Sequence, residues 1–75
     1  MKQELIVLAA GAMKVTPEEA AKHYKEVPEI QGWYFWNPVR GGISVLVNDE
    51  GEKLAATSAV SFEKHLKAFT SGKRN

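Results

Sequence analysis

The sequence predicts an α+β fold in which helices pack on a three-stranded antiparallel meander, and three observations carry that prediction. Residues 5–13 are an unbroken apolar run rich in helix formers, and Thr16-Pro17-Glu18-Glu19 has the composition of a helix start. From residue 32 onward, three short β-rich segments alternate with glycine-containing turns, before a last amphipathic stretch opens at Ser61.

The run Leu5-Ile6-Val7-Leu8-Ala9-Ala10-Gly11-Ala12-Met13 is too short for its periodicity to separate helix from strand. Leu8, Ala9, Ala10, Ala12 and Met13 favour helix and only Gly11 dissents, so a helix is expected over 4–13. The alternative, a strand over 4–10, gives a βαβββα order. Nine apolar residues fall far short of a membrane span, and Glu4 interrupts a signal-peptide pattern, so the segment reads as part of the fold.

Thr16 is suited to cap a helix, Pro17 to occupy its first position, and Glu19 to complete a capping box. The expected helix covers 17–26, with Ala20, Tyr24 and Val27 as its apolar stripe, and Pro28 ends it by excluding helical geometry from the residue before it. Together the two helices make an N-terminal pair.

The strands are expected over 32–36, 43–48 and 53–58. Residues 37–42 hold Pro38, Gly41 and Gly42 and read as a loop; Asp49-Glu50-Gly51 reads as a hairpin turn. The third strand is rich in small residues (Ala55, Ala56, Ser58), which leaves room for close packing by a helix or another chain. Ser61 is a second N-cap, because Phe62, Leu66 and Phe69 follow at helical spacing; the helix is expected over 61–70, with Gly72 as terminator and 71–75 as a frayed tail. Nothing marks a linker or a repeat, so residues 1–75 are expected to be a single domain.

Composition excludes several function classes. With no cysteine, disulfides, thiolate metal sites and cysteine nucleophiles are ruled out, and a reducing, cytoplasmic setting is expected. A net charge of +1 creates no field that would by itself draw nucleic acid or an anionic membrane. The acid–base candidates are His23 and His65; neither has a carboxylate at a pairing spacing, and the two are too far apart in sequence to suggest a ligand set. Gly41-Gly42 precedes a strand rather than a helix, the wrong context for a phosphate-binding loop. The expectation is a protein without catalytic residues, metal or cofactor.

What stands out is the run Trp33-Tyr34-Phe35-Trp36. In a strand, Trp33 and Phe35 point to one face, Tyr34 and Trp36 to the other. Trp33, Phe35, Val45, Leu46, Leu54, Leu66 and Phe69 are the expected core. Tyr34, Trp36, Asn37, Arg40, Gly41 and Gly42 are the expected contact surface, because Trp, Tyr and Arg are enriched among interface hot spots. Two other readings compete with this one. Helices on both faces of the sheet would make all four aromatics core, and a sheet face carrying Tyr34 and Trp36 with Arg40 and Lys53 nearby would suit stacked single-stranded nucleic acid.

From Gly32 the order of motifs is familiar. Gly-Trp-Tyr-Phe is followed by Gly42-Ile43-Ser44-Val45-Leu46-Val47, the acidic turn Asn48-Asp49-Glu50-Gly51-Glu52, a small-residue strand, and Ser61-Phe62-Glu63-Lys64-His65-Leu66. Over residues 32–69 this resembles small bacterial toxin-immunity proteins of the immunity-protein-35 type. The resemblance implies a bacterial or mobile-element protein without catalytic residues, acting in the cytoplasm by contact with another protein, a toxin or host factor. Self-association as a homodimer is the other expected use of the same surface.

Overall fold

The computed structural model describes residues 2–38, 42–57 and 59–75. Along the chain come α1 (Gln3–Met13), α2 (Pro17–Ala20), β1 (Tyr24–Val27), a 3₁₀ turn (Pro28–Ile30), β2 (Gly32–Phe35), β3 (Ile43–Asn48), β4 (Lys53–Thr57) and α3 (Phe62–Thr70). The architecture is α+β: an antiparallel sheet in the order β1-β2-β3-β4, with α1 and α2 on one face and α3 on the other.

Helix governs the first segment, so the strand alternative over 4–10 is overturned. α1 ends at Lys14, which takes left-handed backbone angles (φ 59°) while the Val15 amide donates to the Ala10 carbonyl at 3.0 Å. That reversal satisfies carbonyls the helix would otherwise leave open. α1 is apolar nearly all round: Leu5, Ala9, Ala10 and Met13 are buried, while Val7 remains 51% exposed.

The expected helix over 17–26 is corrected. Thr16 does cap it, accepting from the Glu19 amide at 3.2 Å, but α2 is a single turn that stops at Ala20. The chain then extends as β1, which pairs with β2 through Tyr24↔Phe35, Lys25↔Tyr34, Glu26↔Trp33 and Val27↔Gly32. The sheet therefore has four strands where three were expected. A helix through Val27 would have left one side of β2 without partners for its backbone groups; pairing with β1 satisfies them, and strand-forming Tyr24 and Val27 accept the change. The effect of Pro28 survives in altered form, since Val27 before it is extended (φ −127°) and Pro28 opens the 3₁₀ turn.

β3 carries the core. From Ser44 to Asn48 every residue is buried. Val45 and Val47 face Leu5, Ala9, Ala10, Met13, Ala20 and Phe35; Leu46 faces Val27 and Phe69. Of the expected core, Phe35, Val45, Leu46 and Phe69 are buried, whereas Trp33, Leu54 and Leu66 are only partly so and pack on its margins. The β3–β4 turn is organised by Asn48, whose Oδ1 accepts from the amides of Glu50 (3.0 Å) and Glu52 (2.9 Å) and whose Nδ2 donates to Glu52 Oε1 (2.8 Å). Gly51 supplies the positive φ (88°) that this turn requires. Ser61 caps α3 by accepting from the Lys64 amide at 3.3 Å.

Residues 71–73 close the end of α3, the Lys73 amide donating to the Ala68 carbonyl at 3.1 Å, and the chain then reaches β4. Arg74 stacks on the Phe69 ring (3.7 Å) and reaches Glu52 (3.6 Å), and Asn75 hydrogen-bonds to Lys53 and Ala55.

Gly32 is where the strands run closest. A Cβ placed there would stand 2.1 Å from the Val47 carbonyl oxygen and 2.6 Å from Asn48 Cα, all of it backbone. Gly11, on the exposed side of α1, has nothing within 4 Å of such a Cβ. Gly32→Ala is expected to destabilise the fold by about 3 kcal/mol, as overpacking against backbone does, whereas Gly11→Ala gains about 0.5–1 kcal/mol of helix propensity. Urea unfolding of the two variants checks the opposite signs.

Candidate functional site

Three turns of the chain converge beyond the C-terminal end of β2. The reversal after α1 positions Lys14 and Val15; the capped turn of α2 presents Glu19; and His23 stands at the entry to β1. His23 lies opposite Trp36, whose backbone amide donates to the His23 carbonyl at 3.1 Å. These residues, with Trp36, Asn37 and Pro38, line a hollow of about 330 Å³. That is near the lower end of the size of small-ligand and side-chain pockets. Val15, Trp36 and Pro38 give it apolar walls, while Lys14, Glu19 and His23 supply polar groups. Glu19 also pairs with Lys22 at 3.4 Å, in the open, where such a pair adds little to stability.

The indole of Trp36 belongs to a series of ring contacts that leads inward. On the hollow side the His23 ring lies 6.1 Å away, and on the other the Tyr34 ring stacks at 6.0 Å. Tyr34 in turn meets Phe62 edge-on at 4.8 Å and His65 at 5.9 Å, both from α3. Lys25 Nζ sits 4.0 Å above the Phe62 ring. Of this series His23 and Trp36 border the hollow, while Tyr34, Phe62 and His65 stand behind the indole.

Among the residues expected to form a contact surface, the structure therefore brings Trp36 and Asn37 together. Tyr34 is on the same sheet face as Trp36, in keeping with strand parity, but it packs under α3. Gly42 is partly buried at the entry to β3 and does not line the hollow. Arg40 and Gly41 lie outside the described residues. Pro38 belongs to the 37–42 loop expected beside Trp36, whereas Lys14, Val15, Glu19 and His23 are not legible as part of the site in the sequence. His23 falls within the stretch 17–26 expected to be helical, and only the β1–β2 register places it beside Trp36.

His65 joins Ser44 in a second polar cluster. Both are buried, at 1% and 4% exposure. His65 Nε2 lies 2.6 Å from the Leu54 carbonyl oxygen and Nδ1 lies 3.5 Å from Ser44 Oγ. A carbonyl can only accept, so Nε2 carries the proton and Nδ1 is left to accept from the Ser44 hydroxyl. A histidine–serine contact invites comparison with an activated nucleophile, but α3 closes over this one. The pair pins α3 to β3 and β4 and leaves neither group open to a substrate. Among the described residues no three His, Asp or Glu side chains are grouped as metal ligands, and no helix is long and apolar enough to cross a membrane.

Comparison with protein-family models, with curated proteins and with solved structures finds no match to this chain.

Phe35 and Trp36 are adjacent in sequence and opposite in role. Phe35→Ala, in a fully enclosed site, is expected to cost about 3–5 kcal/mol. Trp36→Ala gives up only part of an indole's burial, about 1–2 kcal/mol. Thermal and urea denaturation of both variants should rank them in that order by a clear margin.

Proposed function

We propose that this chain is a non-catalytic protein-binding module and that the Trp36 hollow is its anchor point. The observation that supports the reading is the position of Trp36. It is the last of the aromatic run, it lies beyond the strand, and its indole forms one wall of an apolar hollow rimmed by Lys14, Glu19 and His23. A half-buried tryptophan supported from behind by Tyr34 is rigid, so a partner side chain that packs on it loses less freedom in binding than it would on a mobile surface. The partner's anchor is an apolar or aromatic side chain that enters between Trp36, Val15 and Pro38, with polar groups matched to Lys14 and Glu19 on the rim.

The resemblance of residues 32–69 to toxin-immunity proteins points the same way. In this reading the chain works in the cytoplasm, and a toxin or host factor of bacterial or mobile-element origin is neutralised or held by contact. The nucleic-acid alternative relied on an open sheet face at Tyr34, and Phe62 and His65 of α3 occupy that face.

Selection of a displayed peptide library on the folded protein, with counter-selection against Trp36→Ala, tests the proposal. Selected peptides are expected to carry an apolar or aromatic anchor and to bind the wild type at least about tenfold more tightly than Trp36→Ala, about 1.4 kcal/mol. Equal affinity for the two proteins would remove the hollow as the site. Tryptophan quenching by single-stranded oligonucleotide, steep in salt, would favour the nucleic-acid reading instead.

A further inference from the structure

β1 and β4 are the two edges of the sheet, and edges expose backbone groups able to pair with another chain. The edges differ in how they are protected. β1 is four residues long and carries adjacent charges, Lys25 and Glu26. A two-fold pairing that used the whole of it would set Lys25 opposite Lys25 or Glu26 opposite Glu26, and like charges directly opposite are destabilising. β4 has no such obstacle, and its outer side is already occupied. The Asn75 side-chain amide donates to the Ala55 carbonyl (3.0 Å) and accepts from the Ala55 amide (2.9 Å), in the manner of a peptide group on a neighbouring strand. The Asn75 backbone amide adds a bond to the Lys53 carbonyl at 3.2 Å. Arg74 fixes this arrangement, stacked on Phe69 and bonded to the Phe69 carbonyl (2.7 Å) and Glu52.

We propose that the β4 edge is a pairing surface for a second copy of this chain, and that Arg74 and Asn75 mask it. The groups that Asn75 satisfies are those an incoming antiparallel strand would use. A two-fold axis through Ala55 sets the small Ala55 opposite itself, Leu54 opposite Ala56, and Lys53 opposite Thr57. No like charges meet, both copies present the same patch as a closed two-fold dimer requires, and two four-stranded sheets join into one. Release of the tail and dimer formation are therefore one competition for the same backbone groups. This surface shares no residue with the Trp36 hollow, and either reading stands if the other fails.

Sedimentation velocity of the full chain across a concentration series provides the test. Arg74→Ala/Asn75→Ala unmasks the edge and is expected to lower the dimer dissociation constant by about tenfold or more relative to wild type. In that background Thr57→Lys sets like charges across the axis and weakens the dimer, whereas Thr57→Glu faces Lys53 and strengthens it. Thr57 is exposed, so these exchanges leave the core intact, and circular dichroism verifies the fold of each variant. The proposal is overturned if the double variant stays as monomeric as wild type, or if it dimerises with an affinity that both Thr57 substitutions leave unchanged. Should the double variant fail to fold, Thr57→Glu and Thr57→Lys in the wild-type chain give the same opposite shifts, and their absence overturns it equally.

Discussion

A strand buried on both faces is the constraint around which this chain is built. β3 sends Val45 and Val47 into one apolar layer and Leu46 into another, and its backbone polar groups lie as deep as its side chains. Water reaches neither, so β3 must be flanked by strands and covered above and below. β2 and β4 supply the hydrogen bonds; α1 and α3 supply the cover. A helix on only one face would leave either Val45 and Val47 or Leu46 exposed. The close approach at Gly32 follows from the same demand, since β2 must lie tight against the end of β3 where Asn48 turns the chain toward β4.

Features that depend on neighbouring residues were legible in the sequence. Thr16 and Ser61 cap helices because each has a backbone amide to accept from three positions on, and the glycine at position 51 meets the dihedral demand of its turn. The helix preference of the first segment and the parity of Trp33, Tyr34 and Phe35 were also readable, because both are local periodicities. What escaped was decided at long range. Residues 24–27 follow a helix cap and mix helix-favouring Lys25 and Glu26 with strand-forming Tyr24 and Val27, and pairing with β2 decides between the two. Trp33 was expected to be as deep as Phe35; it packs on the margin of the same cluster, beside Pro28, Gln31 and Asp49, a matter of tertiary placement rather than of pattern.

The candidate site shows the same division. Trp36 and Asn37 were legible because a surplus of large aromatics needs a use. Lys14, Val15, Glu19 and His23 were not, because they come from turns brought beside Trp36 only by the antiparallel register of β1 with β2. Tyr34 fell between the two expectations. It shares a face with Trp36 as predicted, but α3 turns that face into an interior, and the ring becomes a support for the indole instead of a surface of its own.

The buried imidazole has a consequence for how such a sequence can change over generations. His65 holds the Leu54 carbonyl with one nitrogen and the Ser44 hydroxyl with the other, so positions 44, 54 and 65 form one unit shared by two strands and a helix. Replacing the imidazole by an aliphatic group strands a buried carbonyl and hydroxyl together; replacing the serine first leaves a ring nitrogen without a donor. An unmade buried hydrogen bond costs more than a made one gains, so loss of the imidazole, which ends both contacts, is the costlier change, and exchange of Ser44 alone gives up only the longer one at 3.5 Å. Lineages descended from this chain would therefore hold position 65 more strictly than position 44.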